Sequence, residues 1–269
     1  MRVIESKRED VVSYERIRIE ATAAVARLTL SWPSKRNALS IQMMQEITAG
    51  LRELCTHPEV RAIILGAEGD VFSAGHYLPE MVDKDLSHQR RVFAVCVEMM
   101  EAVQSVDRPV IAEVPGIATA AGCQLVATCD LAVASDDARF ATPGVKIGLF
   151  CSTPMVAVSR VIGRKRAMEM LLTGEMIGAE TAKDWGLVNR VVRRAELRRE
   201  TEELAGKVAD ASPFVVSLGK QAFYAQIDLD QKKAYEYTQE VMSMNAMADD
   251  AQEGMSAFLE KRKACWVGR

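Results

Sequence analysis

The sequence contains little that would place it in a specialised protein class. Only 6% of its 269 residues are aromatic, and 34 Lys and Arg nearly balance 37 Asp and Glu, which gives a net charge of −3. Without a basic excess the chain has no field to attract a nucleic-acid backbone, so we expect no nucleic-acid partner. The most apolar stretch, residues 114–129, is interrupted by Pro and Gly and is shorter than the ~20 residues of a membrane helix, so we expect no spanning segment.

The cysteines and the opening segment bear on the compartment. None of the six cysteines forms a CxxC pair, and a chain of this length with 49% hydrophobic residues does not need disulfides, so we expect free thiols and no metal site. The first ten residues mix both signs of charge, which is typical of neither a secretory signal nor a transit peptide. These features predict a cytoplasmic protein.

Hydrophobic periodicity predicts an α/β fold. Short apolar runs at 61–65, 109–114 and 130–134 are strand candidates, and they alternate with helical patterns. This order favours βα units around a parallel sheet. From Thr153 nearly every segment has a helical pattern. We therefore divide the chain into an α/β core, residues 1–200, and a helical C-terminal region, residues 201–269.

The C-terminal region is apolar on more than one helix face. Its aromatic and methionine residues are too widely distributed for one narrow stripe: Phe223, Tyr224, Tyr235, Tyr237, Met242, Met244 and Met247. Such helices pack against a neighbour as well as against their own core. A broad intrachain core and a homo-oligomer interface both remain open.

Two glycine-containing loops are candidates for ligand binding. The first is Val71-Phe-Ser-Ala-Gly-His-Tyr-Leu, and the second is Val114-Pro-Gly-Ile-Ala-Thr-Ala-Ala-Gly-Cys-Gln-Leu, which leads into a helix. Small residues let backbone N–H groups approach a ligand, and a helix N-terminus adds partial positive charge. Together the loops could form an oxyanion hole. Small residues also serve close helix-to-sheet packing, so the loops alone leave both interpretations open.

Several separated blocks of sequence, between about Val25 and Val267, resemble the crotonase family, also called the enoyl-CoA hydratase/isomerase family. The blocks are Lys35-Arg-Asn-Ala-Leu-Ser, Phe72-Ser-Ala-Gly-His, Pro115-Gly-Ile-Ala-Thr-Ala-Ala-Gly-Cys-Gln-Leu with Cys129-Asp130, Phe140-Ala-Thr-Pro-Gly-Val, Leu172-Thr-Gly-Glu, Gly186-Leu-Val and Gln252-Glu-Gly-Met-Ser-Ala-Phe-Leu-Glu-Lys-Arg-Lys. The resemblance implies a crotonase-type spiral of ββα units with a C-terminal helical region. It also implies assembly as a homotrimer or a dimer of trimers.

The resemblance further implies an acyl-CoA substrate and no separate cofactor, because the coenzyme A is itself part of the substrate. Two backbone N–H groups, those of His76 and Ala121, would hold the thioester oxygen. The other implied contacts to coenzyme A are Lys35 and Arg36 near the phosphates, Ala74 near the adenine, and Phe258 and Lys261 from the C-terminal helix. Fixed donors stabilise the enolate that forms when charge moves onto the thioester oxygen, and one such donor is worth ~10² to 10³ in rate. Lys35, Arg36 and Lys261 could equally be solvated surface charges without a role in binding.

The sequence departs from the family at the positions that carry protons. Where hydratases have two glutamates, this chain has Gln124 and Gly144, and the alternative aspartate of some members aligns with Ser152. An amide cannot exchange a proton near neutral pH, and loss of one positioned acid or base costs ~10² to 10⁴ in rate. We therefore expect a poor classical hydratase. Substitute carboxylates are available after the first loop at Glu80, Asp83 and Asp85, although such residues are usually solvated.

Three hypotheses for the function follow. The first is an acyl-CoA enzyme that works through enolate stabilisation. The second is a decarboxylase of malonyl-type thioesters that uses His76, because decarboxylation generates the enolate without a base. The third is a non-catalytic acyl-CoA-binding subunit. A nucleophilic Cys151 or Ser152 is a further option for thioester hydrolysis, but it requires an activating base, for which His76 is the candidate.

Overall fold

A computed structural model describes residues 14–21 and 24–269 of the chain. The opening residues, on which the localisation was predicted, lie outside the described part. Within that part there are ten strands: β1 (Ile17–Glu20), β2 (Val25–Leu30), β3 (Ala62–Ala67), β4 (Val71–Ser73), β5 (Val110–Val114), β6 (Ile117–Thr119), β7 (Leu131–Ser135), β8 (Arg139–Ala141), β9 (Ile177–Gly178) and β10 (Arg190–Val192). The predicted strands at 61–65, 109–114 and 130–134 correspond to β3, β5 and β7.

The strands form two sheets. The larger sheet has the order β1-β2-β3-β5-β7-β10 and is parallel except for the β1–β2 pair. The smaller sheet has the order β4-β6-β8-β9 and is parallel except for the β8–β9 pair. Strands of the two sheets alternate along the chain from β3 to β8. Each pass through the larger sheet is thereby followed by a short strand in the smaller one.

The described residues also form ten α-helices: α1 (Ile41–Cys55), α2 (Leu86–Ser105), α3 (Ala121–Thr128), α4 (Pro154–Ile162), α5 (Arg164–Thr173), α6 (Ala179–Trp185), α7 (Leu197–Ala209), α8 (Pro213–Gln226), α9 (Gln231–Ala246) and α10 (Asp249–Glu260). Ser40 caps α1, since its Oγ accepts a hydrogen bond from the Met43 amide at 3.1 Å; serine is a favoured residue at this position. The α/β prediction is confirmed. None of these helices is both long and apolar enough to cross a bilayer.

Helix α7 packs on the larger sheet, next to β3, β5 and β7. A buried ion pair, Arg27 to Glu113 at 2.6 Å, lies under it, and Arg27 also contacts Glu202 of α7 at 3.2 Å. The predicted division between residues 1–200 and 201–269 falls inside this helix. The helices α8 to α10, which pack on one another, follow it.

A buried polar cluster attaches α8 to the core. The Lys220 ammonium contacts the Asp130 carboxylate at 2.8 Å and donates to the carbonyls of Val103 and Arg108. The Tyr224 hydroxyl donates to the other oxygen of Asp130 at 2.8 Å. Because every donor of the lysine has an acceptor, its burial is compensated. The cluster fixes the position of α8 beside α2 and α3, which matters for the cavity described below.

Candidate active site

The candidate site lies where three neighbouring parallel strands of the smaller sheet end. Strand β6 lies between β4 and β8, and Thr119 at its end pairs with Ala141 of β8. The carboxyl ends of parallel strands meet at one edge of a sheet, a common place for ligand sites in α/β proteins. Each of the three following segments carries a buried polar atom without a hydrogen-bond partner among the described residues, namely His76 Nε2, Gln124 Oε1 and Thr142 Oγ1. Such atoms cost stability and call for an explanation.

Two glycines bring the first and second loops into contact. A Cβ placed on Gly75 would lie 2.8 Å from the Cβ of Ala120 and 3.3 Å from the amide nitrogen of Ala121. A Cβ on Gly122 would overlap the carbonyl oxygen of Ser73. Only glycine therefore permits this approach, and Gly75 also has a φ of +87°, which favours glycine. The segment after β4 is thereby held against the N-terminus of α3.

The junction between β6 and α3 has a strained backbone. Ala120 adopts φ 51° and ψ −120°, a conformation that L-residues rarely occupy. Its amide donates to the Ala141 carbonyl at 2.9 Å, and its carbonyl accepts from the Gln124 amide at 3.0 Å. This turn frees the first amide of α3: within residues 14–21 and 24–269, neither the Ala121 N–H nor the His76 N–H has an acceptor. The predicted pair of main-chain donors is thus available for a ligand.

The His76 imidazole is uncharged at neutral pH. Burial lowers its pKa to about 4, and its ring meets Phe93 of α2 edge-to-face with centroids 5.4 Å apart. A neutral imidazole donates from one nitrogen and accepts at the other. The side chain can therefore hydrogen-bond a ligand without adding a charge.

Gln124 connects the site to a cavity of about 620 Å³ between α2, α3, α4 and α8. Its side chain is 5% exposed and faces this cavity together with Ala127 and Thr128, one face of α3. Apolar side chains form much of the wall, among them Met100, Ala157 and Phe223. The volume is in the usual range for a small-molecule pocket. Neither His76 nor Ala121 is part of its lining.

The second expected acid position, Gly144, has no room for a side chain. A Cβ there would lie 2.5 Å from the Leu149 carbonyl oxygen and 2.8 Å from the Cys151 sulfur. Burial raises the pKa of the Cys151 thiol, although the Gly144 amide opposes this shift. The side chain is therefore a neutral thiol, which does not favour nucleophilic attack. Ser152 is exposed, and its hydroxyl makes a 3.4 Å contact with the Phe150 carbonyl.

Two of the three substitute carboxylates serve as helix caps. Glu80 accepts a hydrogen bond from the Ile41 amide at 2.9 Å, at the start of α1. Asp85 is the N-cap of α2 and accepts from the His88 amide at 2.8 Å. Asp83 is exposed, with a φ of +57°. The carboxylates of Glu80 and Asp85 are thus engaged at helix starts, and the sequence-based suggestion of a replacement acid gains no support.

The expected coenzyme A contacts divide into two groups. Arg36 and Ala74 lie together, since the Ala74 amide donates to the Arg36 carbonyl at 3.0 Å, and Lys35 precedes them on the same exposed loop. Phe258 and Lys261 lie at the end of α10, which packs on α8 and α9. Phe258 is 83% exposed. The first group therefore adjoins the segment after β4 that carries Gly75 and His76, and the second belongs to the C-terminal helices.

Sequence reasoning missed two residues that shape the site. Asn37 is fully buried, and its side chain accepts from the Trp32 amide and donates to the carbonyls of Glu68 and Val71, which fixes the loop that carries Lys35. An Asn in a loop, where positive φ is needed, was the available signal, and its φ is +49°. The strain at Ala120 had no signal, because alanine does not favour that conformation.

Comparisons with known proteins identify the family of this chain. The family model described as enoyl-CoA hydratase/isomerase matches residues 20–269. The chain belongs to the enoyl-CoA hydratase/isomerase family. It is 48% identical to enoyl-CoA hydratase domain-containing protein 3, mitochondrial, of Xenopus laevis, over 90% of this chain and 83% of that protein. It is 32% identical to a probable enoyl-CoA hydratase of Mycobacterium leprae, over 93% and 97% of the two chains.

Solved structures of the enoyl-CoA hydratase/isomerase family match the whole fold. Human enoyl-CoA hydratase domain-containing protein 3 has a TM-score of 0.91 at 45% identity, covering 94% of this chain and all of that one. An enoyl-CoA hydratase of Mycobacterium smegmatis also gives 0.91, at 46% identity and 94% and 99% coverage. The predicted crotonase-type fold is confirmed. The predicted cytoplasmic location is wrong by the same comparisons, because the vertebrate relatives are named mitochondrial.

Proposed function

We propose that this chain binds an acyl-CoA thioester and stabilises its enolate with the backbone N–H groups of His76 and Ala121. The observation that carries the proposal is that both amides lack an acceptor among the described residues while Gly75 holds the two loops in contact. The N-terminus of α3 adds its dipole at the same place. Donors fixed before the reaction stabilise developing charge without reorganisation.

Hydration of an enoyl thioester would be slow in this site. The position of one expected glutamate carries an amide, Gln124, and the other, Gly144, is closed by Leu149 and Cys151. His76 does not replace them, because an imidazole with a pKa near 4 is a weak base. The residues around the oxyanion hole therefore support charge stabilisation far better than proton transfer.

A homotrimer, or a dimer of trimers, fits the exposed apolar surface of α9 and α10. Six of its side chains are between 65% and 83% exposed: Tyr235, Met242, Met244, Met247, Phe258 and Leu259. Large apolar side chains that are exposed in such number on neighbouring helices are typical of a protein–protein interface. In such an assembly Phe258 and Lys261 would reach coenzyme A from a neighbouring subunit. Analytical ultracentrifugation tests this part of the proposal, and a monomer at micromolar concentration would refute it.

Two ligands test whether the site binds the thioester oxygen. Butyryl-CoA has the carbonyl, and the corresponding S-butyl thioether of coenzyme A lacks it. We expect calorimetric titration to show tighter binding of the thioester by several-fold, because two N–H groups lose their acceptor in the thioether. Equal affinities would remove the oxyanion hole from the proposal.

The loss of enoyl absorbance from crotonyl-CoA tests the argument about the glutamates. We expect slow turnover in the wild type and a faster rate in Gln124→Glu, which restores one acid in a nearly isosteric side chain; one positioned acid is worth up to ~10² to 10⁴ in rate. Gln124→Ala is the matched control and should not accelerate the reaction. Wild-type turnover at ordinary hydratase rates that Gln124→Ala abolishes would contradict the argument.

Decarboxylation of a malonyl-type thioester is the second candidate, favoured by the neutral, unpartnered imidazole of His76. The bond between the α carbon and the carboxylate breaks, its electron pair forms the enolate at the oxyanion hole, CO₂ leaves, and the α carbon takes a proton from water. Release of CO₂ from methylmalonyl-CoA should fall sharply in His76→Ala. An unchanged rate rejects the role of His76. Tight binding without any product across a panel of thioesters would instead identify a non-catalytic acyl-CoA-binding subunit.

A further inference from the structure

The cavity of about 620 Å³ between α2, α3, α4 and α8 is not used by the proposed oxyanion hole. Of the residues named above as candidates for catalysis or for binding coenzyme A, only Gln124 belongs to its lining. The cavity is therefore a second concave site, with a volume that suits a small molecule. The groups that surround it indicate which kind of molecule it would bind.

Three helices end at this cavity. Helix α3 ends at Thr128, α4 at Ile162 and α8 at Gln226, and the lining includes Thr128, Val161 and Ile227 from these ends. The C-terminus of an α-helix carries a partial negative charge, because its last carbonyl groups have no partner within the helix. Three such ends favour a positively charged ligand over a negatively charged one.

The last turn of α3 leaves carbonyl groups that no donor satisfies. The Asp130 amide donates to the Val110 carbonyl at 3.0 Å, so it does not continue the hydrogen-bond pattern of the helix. In the part of the chain that the structure describes, the carbonyls of Val126, Ala127 and Thr128 accept no hydrogen bond. All three residues are buried and line the cavity. A ligand with several N–H donors would satisfy these carbonyls.

Two side chains add further acceptors. Gln124 is 5% exposed and lines the cavity, and its Oε1 has no donor among the described residues. Glu101 of α2 also lines the cavity, is exposed, and forms no ion pair within residues 14–21 and 24–269. The one Lys or Arg of the lining is Arg160, whose guanidinium already contacts the Asp228 carboxylate at 3.4 Å and the Val156 carbonyl at 3.1 Å. The lining thus has a free carboxylate and no free cation.

Much of the remaining wall is apolar. It includes Val97 and Met100 of α2, Ala157 of α4 and Phe223 of α8. The Phe223 side chain is 53% exposed, and the face of an aromatic ring attracts an ammonium group. An ammonium has three donors and no acceptor, so it matches the free carbonyls at the end of α3. A hydrocarbon chain attached to it would cover the apolar wall.

We propose that this cavity binds a primary alkylammonium ion, with the ammonium at the end of α3 and the hydrocarbon chain against Met100 and Phe223. The ammonium donates to the carbonyls of the last turn of α3 and to the Gln124 oxygen, and the Glu101 carboxylate supplies the counter-charge. The inference is independent of the proposed function, because neither amide of the oxyanion hole lines the cavity.

Three probes with the same six-carbon skeleton test the choice of head group. They are hexylamine, which is an ammonium at neutral pH, hexan-1-ol and hexanoate. Each is titrated by ligand-observed NMR against the wild type and three variants at exposed positions. Glu101→Gln removes the counter-charge, and Val156→Lys adds a cation to the lining. Glu98→Gln is the matched control, because it removes an exposed carboxylate of the same helix that does not line the cavity.

We expect hexylammonium to bind the wild type about tenfold more tightly than hexan-1-ol, because charge-assisted hydrogen bonds are the stronger ones, and hexanoate to bind most weakly. Glu101→Gln and Val156→Lys should each weaken hexylammonium several-fold, and Glu98→Gln should bind it as the wild type does. Equal affinities for the three probes, tighter binding of hexanoate, or no saturable binding of hexylammonium overturns the proposal. An equal loss in Glu98→Gln and Glu101→Gln would reveal only an effect of overall charge, which also overturns it. Unchanged affinity for hexylammonium in Val156→Lys excludes this cavity as the site.

Discussion

The strained turn at Ala120 gives a prediction that separates stability from function. With φ at 51° and ψ at −120°, this residue occupies a conformation that costs an L-residue about 1–3 kcal/mol. Glycine adopts it without that cost. Ala120→Gly therefore removes strain from the folded state, and it also adds backbone freedom to the unfolded chain, which costs about 0.5–1 kcal/mol. The expected net effect is a stabilisation of between about 0 and 2.5 kcal/mol.

The matched control is Ala49→Gly, at an exposed position within the regular helix α1. There the native conformation is unstrained, so the substitution should destabilise the protein by about 0.8–1 kcal/mol. Chemical denaturation at equilibrium measures both variants, with the midpoint as readout and an unchanged slope as the check on two-state unfolding. If Ala120→Gly destabilises the protein as much as Ala49→Gly does, no strain is stored at this turn.

The same variant should lose function while it gains stability. A glycine in place of the strained alanine can sample other backbone conformations, and with them other orientations of the Ala121 N–H that follows it. We expect butyryl-CoA to bind several-fold more weakly to Ala120→Gly than to the wild type and equally well to Ala49→Gly. Unaltered binding in Ala120→Gly would show that the alanine is not needed to hold the amide in place.

Three further predictions concern packing and pH. Gly144→Ala should destabilise the protein by about 1–3 kcal/mol, because the added Cβ would meet the Leu149 carbonyl oxygen and the Cys151 sulfur. Gly206→Ala, in open space on α7, should instead stabilise the protein by about 0.5–1 kcal/mol. Equal denaturation midpoints of the two variants would contradict this. Burial raises the pKa of Asp250, but its hydrogen bonds lower that pKa more, so the folded pKa lies below the unfolded one. The ionised carboxylate therefore stabilises the fold above the unfolded pKa, and this contribution is lost as pH falls through the folded pKa. Acid titration of Asp250→Asn should lack this loss. His76 has a folded pKa of about 4, below its unfolded value, so stability should fall as pH drops from about 6.5 towards 4, and His76→Gln should remove that part of the pH dependence.

Local patterns were sufficient for most of the fold. The strand at 109–114 depends on a short apolar run, and the N-cap at Ser40 depends on a side chain that bonds its own helix. Both are properties of neighbouring residues. The boundary at residue 200 was harder to place, because helical periodicity does not indicate which layer a helix packs against. Helix α7 has the same pattern as its successors and nevertheless lies on the sheet.

The site was predictable where the motif fixes the backbone and less so elsewhere. The small residues around Gly75 and Gly122 indicated a close approach of two loops, and the structure has it. The capping roles of Glu80 and Asp85 depend on partners that fold next to them, one of which, Ile41, is 39 positions away in sequence. Sequence alone gives no measure of that proximity. A free-looking carboxylate in a loop is therefore weak support for a catalytic acid.

The electrostatics of the site limit the chemistry that it can support. Among the candidate residues of the proposed oxyanion site, the imidazole of His76 is uncharged, Gln124 is an amide, and Cys151 is a protonated thiol. The local field is then set by the two free N–H groups and by the dipole at the start of α3, both of which favour a negative charge on a ligand oxygen. A reaction that requires only stabilisation of this negative charge, such as cleavage of the bond to a departing CO₂, suits the site. A reaction that also needs a proton moved requires a group that the site does not supply, and Gln124→Glu tests that difference because it adds this group alone.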